Sequence, residues 1–291
     1  MDPQVHSLPA AAGLGFRREL IPQLLAGVPP AIEFFEIAPE NWADLGGRSA
    51  RQLRAFSERY PFVCHGLSLS LGGSLPLDMD LLQRIRRFMR EHGSPLYTEH
   101  LSWCSDDGQL YDLLPLPCTH EAVRWVAGRI RQVQDVLGQR IGIENASYYV
   151  APPGAEMDEA AFIRAVVEEA DCLLHLDVNN IYVNSRNFGF DPLAFLQALP
   201  LERSCYVHVA GHYVADDGLI IDTHGADVID PVWALLSAAY ARTGRLPTCL
   251  ERDFHIPDLA QLNLEVETIA RLQQPWPEAT ARMTQPEVCL P

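Results

Sequence analysis

Six short apolar runs in this chain each end in a side chain that can bind a metal ion. The runs begin at residues 62, 96, 141, 173, 205 and 248, and the residues that end them are His65, His100, Glu144, Asp177, His208 and Glu251. Imidazoles and carboxylates that are buried without a partner cost several kcal/mol each. A multivalent cation shared by several of them offsets this cost, so the pattern predicts a metal site.

Two further candidates stand close together in the segment Asp222-Thr-His224. Residues two apart in an extended stretch face the same way, so we expect this carboxylate and this imidazole to hold one ion together. With the six run-end residues they make eight candidate ligands, whereas one ion takes about four to six. The excess predicts at least two ions, held a few ångströms apart by a bridging carboxylate such as Glu144 or Asp177.

The donor types restrict the metal. Imidazoles and carboxylates without thiolates favour iron, manganese or zinc over calcium, magnesium or an iron–sulfur cluster. The chain has 7 cysteines. No two of them form a C-x-x-C pair, which argues against both a disulfide framework and a thiolate zinc site. We therefore expect reduced cysteines beside a histidine–carboxylate centre.

The elements that position these residues repeat a pattern of apolar run, polar loop and amphipathic stretch. The predicted strands are Gly13–Arg17, Ile32–Ala38, Phe62–Ser70, Leu96–Trp103, Ile141–Ser147, Leu173–Asn180, Cys205–His212 and Thr248–Asp253. The clearest helical stretches are Leu77–His92, His120–Leu137, Asp158–Ala170, Pro231–Thr243 and Pro257–Leu272. Asp158 and Asp230 are expected N-caps, and Pro231 and Pro257 suit first-turn positions.

Strands that alternate with helices are joined in parallel by right-handed crossovers, and eight such units close into a barrel. The expected fold is α/β, a single (β/α)8 TIM barrel over residues 1–274, with an irregular C-terminal tail over residues 275–291. Active sites of such barrels lie at the C-terminal ends of the strands, where six candidate ligands stand. The alternative is a doubly wound open sheet, for which Gly13-Leu-Gly15 is only a weak phosphate-loop match.

Composition limits the partners. The formal net charge is -16, and such a surface repels phosphate backbones, so we expect no nucleic-acid partner. No apolar run reaches the roughly 18–20 residues that span a bilayer, so we expect no membrane association. The N-terminal residues lack a basic region followed by an apolar core, and a cytoplasmic location is therefore expected.

Four polar residues near the run ends are candidates for substrate binding. Glu36 and Asn41 belong to Glu36-Ile-Ala-Pro-Glu-Asn41-Trp, where general acid–base work and a helix cap by Asn41 are both open. Asn145 directly follows a candidate ligand. His212 ends the segment His-Val-Ala-Gly-His212 and is expected to line a pocket.

Two residues that flank Asp177 have more than one interpretation. His175 lies two residues before it, either as a hydrogen-bonded core histidine or as a partner of a metal ligand. Asn180 lies three residues after it and could complete a coordination sphere or bind substrate.

An ordered series of motifs is similar to one known family over about Gly13 to Leu272. The motifs are Gly13-Leu-Gly-Phe-Arg-Arg, Glu36-Ile-Ala-Pro-Glu-Asn-Trp, His65-Gly-Leu-Ser-Leu-Ser-Leu-Gly-Gly, Thr98-Glu-His-Leu-Ser-Trp, Ile143-Glu-Asn, Leu176-Asp-Val-Asn-Asn, His208-Val-Ala-Gly-His, Asp222-Thr-His-Gly and Leu250-Glu-Arg-Asp. The chain resembles the multinuclear non-heme iron-dependent oxidative enzymes, formerly a domain family of unknown function. The resemblance implies a barrel of the xylose-isomerase type.

The resemblance also implies a cofactor and an activity. It implies two or three iron ions of mixed valence, with dioxygen as co-substrate, and it adds Asn180 to the eight ligands named above. The implied reaction is oxidation of a residue, often cysteine, in a ribosomally made precursor peptide. A partner protein that presents the leader of the peptide is implied as well.

A mechanism follows as an expectation. A substrate cysteine thiolate binds one iron, since a soft thiolate and dioxygen both need open positions on a redox-active metal. The resemblance implies that a ferrous site then uses dioxygen to take a hydrogen from the cysteine β-carbon. Two other classes stay open: a divalent-metal sugar isomerase or endonuclease-like barrel, and a non-catalytic metal-binding protein.

Overall fold

The structure is a computed structural model that describes residues 7–106 and 108–279. Its strands in chain order are β1 (Ala12–Gly15), β2 (Phe34–Ile37), β3 (Phe62–Gly66), β4 (Tyr97–His100), β5 (Trp103–Ser105), β6 (Gln109–Leu114), β7 (Gly142–Glu144), β8 (Leu173–Asp177), β9 (Ser204–Val209), β10 (Tyr213–Val214), β11 (Ile220–Ile221) and β12 (Thr248–Leu250). Eight of them close into a parallel barrel in the order β1-β12-β9-β8-β7-β4-β3-β2. The predicted single barrel of eight strands is therefore confirmed.

The barrel strands end earlier than the sequence pattern predicts. The predicted strand Leu173–Asn180 stops at Asp177, and helix α6 (Val178–Phe188) begins at the next residue. The carboxylate of Asp177 accepts a hydrogen bond from the backbone N–H of Asn180, which is a helix N-cap contact. The prediction that residues 178–180 continue the strand is wrong because this capping contact starts a helix instead.

Helices cover the outside of the barrel. In chain order they are α1 (Ile21–Ala26), α2 (Gly47–Ser57), α3 (Met79–His92), α4 (His120–Leu137), α5 (Glu159–Ala170), α6 (Val178–Phe188), α7 (Pro192–Ala198), α8 (Asp230–Thr243) and α9 (Leu259–Gln273). Asp158 caps α5 as predicted. The roles predicted for Asp230 and Pro257 are wrong, because Ile229 precedes α8 as its N-cap and Asp258 caps α9.

The apolar core has two parts. The larger part lies between the helices and the outward-facing strand residues. The smaller part fills the N-terminal half of the barrel interior and consists of Phe34, Val63, Leu96, Leu173, Cys205, Tyr206 and Cys249. Leu8 packs against this inner cluster. Since parallel barrel strands alternate inward and outward, the inward residues nearer the C-terminal ends are the ones that form the site.

Two hairpins were not foreseen from the sequence. Strands β5 and β6 pair antiparallel, and so do β10 and β11, of which β11 leads directly into Asp222. Of the predicted tail, the structure describes residues 275–279, where Pro277 and Ala279 exchange backbone hydrogen bonds with Arg245. Residues 280–291 lie outside the described part. Within the described ranges, no helix combines the length and apolar character needed to cross a bilayer.

Candidate metal centre

Three of the run-end residues surround one point at the mouth of the barrel. The Nε2 atoms of His65 and His100 lie 3.3 Å apart. The Oε2 atom of Glu144 is 3.2 Å from the first and 3.5 Å from the second. Three donor atoms this close together suit a single ion at their centre.

The other oxygen of Glu144 faces a second group of donors. Its Oε1 atom lies 3.3 Å from Nδ1 of His208, and the same nitrogen is 2.9 Å from Oε2 of Glu251 and 3.9 Å from Oδ2 of Asp177. These four residues offer ligand atoms that all lie within 4.8 Å of one another. Glu144 therefore stands between two candidate metal positions, as a bridging carboxylate does.

A third group lies at the outer edge of the mouth. Nε2 of His224 is 2.9 Å from Oδ1 of Asp222, and its Nδ1 is 3.5 Å from Oε2 of Glu251. The prediction that this pair belongs to an extended stretch is wrong, because His224 has a left-handed backbone with φ 49°. The turned backbone nevertheless brings the imidazole against the carboxylate two residues before it.

Each of the four histidines has its second ring nitrogen bonded to a partner, which fixes the orientation of the ring. His65 Nδ1 lies 2.8 Å from Thr98 Oγ1, and His100 Nδ1 lies 3.2 Å from the carbonyl oxygen of Gly66. Such partners hold the free nitrogen of a metal-binding imidazole toward the ion.

For the other two histidines the partner is a carboxylate. His208 Nε2 lies 2.5 Å from Oε2 of Glu36, and His224 Nδ1 lies 2.9 Å from Oδ2 of Asp253. Asp253 is in turn paired with Arg17, whose Nε donates to it at 2.8 Å. The negative partners make these two imidazoles the more basic of the four candidate ligands.

The charges of the site are unbalanced. Burial raises the pKa of Asp177 far above its usual value, and repulsion from Glu144 adds to this effect. Burial lowers the pKa of His100, but the charge of Glu144 and a hydrogen bond to Glu99 outweigh burial and bring it to about 9. Burial also opposes ionisation of Glu251, whose pKa is nevertheless held at about 2 by His208 and further positive partners. These shifts arise from several buried carboxylates close together, a negative charge that a bound cation would balance.

The buried atoms that lack hydrogen bonds fit a metal centre. Among the described residues, five predicted ligands each carry a buried polar atom without such a partner. The atoms are Glu144 Oε2, Asp177 Oδ2, Asn180 Oδ1, His208 Nδ1 and His224 Nε2. The two nitrogens each lie 2.9 Å from a carboxylate oxygen, but at angles that do not make a hydrogen bond. Buried polar groups are normally bonded, and five exceptions in one place indicate that something else binds there. The donor set of nitrogen and oxygen atoms suits a borderline transition metal such as iron.

The side chain of Asn180 has one candidate ligand atom that makes no hydrogen bond. Its Nδ2 donates to the carbonyl oxygen of Asn145 at 3.1 Å, which orients the amide and leaves Oδ1 unbonded. Asn145 in turn exchanges two hydrogen bonds with the backbone of Asp177. The side chain of Asn145 thus ties the end of β7 to the end of β8.

The remaining substrate-binding candidates occupy different surroundings. Glu36 is buried against His208, and His212 is buried with Nδ1 2.8 Å from Oδ1 of Asn179, whose Nδ2 donates to Asp222. Asn41 is exposed in a short 3-10 turn, and its carbonyl oxygen accepts a hydrogen bond from Arg18. Substrate binding by these residues stays a prediction.

The partner residues of the ligands were largely missed from the sequence. Glu36 was considered only as a substrate or acid–base group, and Asp253 and Thr98 were not considered. The sequence carries a signal for both Glu36 and Thr98, since the first lies two residues after Phe34 and the second two residues before His100, and residues two apart on a strand face the same side. Asp253 follows Glu251 by two residues outside the strand, where the sequence carries no such signal.

Replacing Glu36 with leucine is expected to weaken metal binding at the His208 position by about 10–100-fold, because the imidazole loses the acceptor that orients it. Glutamine keeps an acceptor oxygen and should lose less. Competition with a chromophoric chelator measures the affinity. Glu33→Gln, an exposed neighbour in the same segment, is the control. Unchanged affinity in Glu36→Leu would show that the contact with His208 has no role in metal binding.

The closed parallel barrel of eight strands is the fold of xylose-isomerase-like TIM barrel proteins. Similar solved structures include endonuclease IV from Thermus thermophilus, with a TM-score of 0.52 and 17% identity over 91% of this chain and 98% of that one. Another is a xylose isomerase-like TIM barrel protein from Mycobacterium smegmatis in complex with magnesium, with a TM-score of 0.54 and 11% identity over 88% of this chain and 86% of that one. At these identities the likeness concerns the fold alone.

Sequence comparison gives the family. Residues 11–274 match the family described as RiPP precursor modification enzyme MbnB/TglH/ChrH, and the chain belongs to it. A UPF0276 protein of Nitrosospira multiformis is 64% identical over 91% of this chain and 93% of its own length. A UPF0276 protein of Pseudomonas aeruginosa is 55% identical over 94% of this chain and 96% of its own length.

Proposed function

We propose that this protein is an iron- and dioxygen-dependent enzyme that oxidises a cysteine residue in a ribosomally synthesised precursor peptide. The observation that carries the proposal is the position of Glu144, whose two oxygens face two separate groups of nitrogen and oxygen donors. Membership of the precursor-modifying family supports the peptide as substrate. Iron bound here supplies open positions and redox capacity for a thiolate and for dioxygen.

The residues of the site divide into a closed side and an open side. His208 and Asp177 are fully buried, whereas the side chains of His100, Asp222 and His224 are 15%, 10% and 16% exposed. A peptide side chain that enters the mouth therefore meets the His100 and His224 sides first. The buried residues hold the inner part of the centre in place and exclude water from it.

Aromatic side chains lie beside the open part of the mouth. The hydroxyl of Tyr149 accepts a hydrogen bond from the backbone N–H of Asp222 at 3.0 Å, and its ring is partly exposed. Phe254 is 63% exposed and lies close to Gly225. Exposed aromatic groups of this kind suit contacts with a peptide backbone and its side chains. We propose that the precursor peptide lies across this edge, with a partner protein presenting its leader.

The proposal is tested with protein purified without oxygen and loaded with ferrous iron. A cysteine-containing precursor peptide encoded beside the gene, together with a neighbouring candidate partner protein, is the substrate. We expect a mass change in the peptide and oxygen consumption only when both iron and dioxygen are present. Peptide modification at the same rate in strict anaerobiosis, or no modification in any condition while iron is fully bound, would overturn the proposal.

A further inference from the structure

His175 is a polar side chain inside the barrel that the proposed ligand set does not use. It lies on β8 two residues before Asp177, so both face the barrel interior, with His175 one layer deeper. Its side chain is fully buried.

Neither ring nitrogen of His175 has a hydrogen-bond partner among the described residues. The ring instead contacts other rings, with centroids 4.0 Å from His208, 4.8 Å from Tyr206 and 5.2 Å from His65. A structural histidine in a core is normally bonded, and each unsatisfied buried nitrogen costs about 1–3 kcal/mol. The interpretation of His175 as a hydrogen-bonded core histidine therefore has no support in these contacts.

One nitrogen of His175 points at the metal centre. Its Nδ1 lies 3.7 Å from Oε2 of Glu144, which is too long for a hydrogen bond, and this oxygen is itself without a hydrogen-bond partner. His65 Nε2 lies 3.2 Å from the same oxygen. His65, Glu144 and His175 are all buried and offer donor atoms that lie within 4.8 Å of one another.

We propose that His175 is a metal ligand. Together with His65 and Glu144, it binds one divalent transition-metal ion such as iron. His100 approaches the pair of His65 and Glu144 from the mouth, and His175 approaches it from the interior. An ion that takes His175 is closed on its inner side, so its remaining open positions face the mouth. The inference rests on the metal-binding part of the proposed function and is independent of peptide oxidation.

The test is a titration of the metal-free protein with cobalt(II), whose visible absorption reports the number and type of ligands. The variants are His175→Leu, which removes both nitrogens at similar size, and His175→Gln, which restores one donor. Tyr206→Phe is the matched control, because it changes a fully buried neighbour on the adjacent strand that carries no imidazole. Thermal unfolding is followed for each protein with and without cobalt.

We expect His175→Leu to lower the cobalt affinity of one position at least tenfold and to change its absorption band, with partial recovery in His175→Gln. Without metal, His175→Leu should unfold at the same temperature as the parent or higher, because it removes two unsatisfied nitrogens. An unchanged affinity and band in His175→Leu would overturn the inference. So would an equal loss of unfolding temperature with and without cobalt, since that result indicates a structural role.

These outcomes separate the inference from the proposed function. The titration uses neither peptide nor dioxygen, so a failure of peptide oxidation leaves its result intact. If His175→Leu does not fold, the comparison of His175→Gln with the parent tests the inference instead. Glutamine keeps a polar group at the same position but has no imidazole. An absorption band in His175→Gln identical to that of the parent would then count against His175 as a ligand.

Discussion

Glu144→Ala is expected to remove at least one bound metal ion per chain and to reduce turnover of the precursor peptide by about three orders of magnitude or more, the range seen when a central catalytic group is removed. The reason is geometric, because its two oxygens face His65 and His100 on one side and His208 on the other. Alanine leaves both groups of donors without their shared anion. Metal analysis and single-turnover kinetics measure the two effects.

The control for this prediction is Glu159→Gln. Glu159 is a partly buried carboxylate that accepts a hydrogen bond from the hydroxyl of Tyr148, and burial raises its pKa to about 7. It has a perturbed carboxyl group but none of the imidazole contacts of Glu144. We expect it to keep the full metal content. A Glu144→Ala protein with full metal content would refute the bridging role.

Removal of the metal is expected to lower the unfolding temperature by ~5–10 °C per tightly bound ion. An ion present at 100 times its Kd stabilises the folded state by about 2.7 kcal/mol, and 1 kcal/mol corresponds to about 2–4 °C in a domain of this size class. The physical source is the set of buried atoms without hydrogen bonds, among them Asp177 Oδ2 and Asn180 Oδ1. Calorimetry with and without a chelator measures the difference.

Two further comparisons test whether the stabilising ion binds at this site. Ferrous iron or cobalt should restore the unfolding temperature, whereas magnesium should not, because the imidazole donors favour transition metals. Asp177→Asn replaces a carboxyl group whose pKa is already raised by burial. The metal-free variant should therefore be no less stable than the metal-free parent. A chelator effect of equal size in Asp177→Asn and the parent would show that the stabilising ion lies elsewhere.

The fold could be predicted because its signals are local and repeated. Each inward polar residue interrupts an apolar run at the same place in its unit, so counting runs gives strands, and strand ends give the candidate ligands. The first and last residues of the strands are predicted less accurately. The end of β8 at Asp177 depends on a helix-capping contact, and the position of the His224 side chain depends on a left-handed turn. A periodic pattern of apolar residues contains neither signal.

The sequence predicts the candidate ligands but not the residues that surround them. A candidate ligand such as His208 is conspicuous because it ends an apolar run. Its partner Glu36 lies on a strand 172 residues away, and only closure of the barrel brings the two together. For His175 the sequence allows two interpretations, because it does not show whether the ring nitrogens have hydrogen-bond partners. Pairing across a closed barrel is a property of the tertiary structure alone.

The apolar cluster in the N-terminal half of the barrel interior has a kinetic consequence. Phe34, Tyr206 and Cys249 fill the interior beneath the site, so among the described residues the site is closed from beneath and opens at the mouth of the barrel. A bound peptide that covers this opening also blocks the route for small molecules. Binding and release should therefore follow a compulsory order rather than a random one, and steady-state patterns with the peptide and a small co-substrate varied together would display that order.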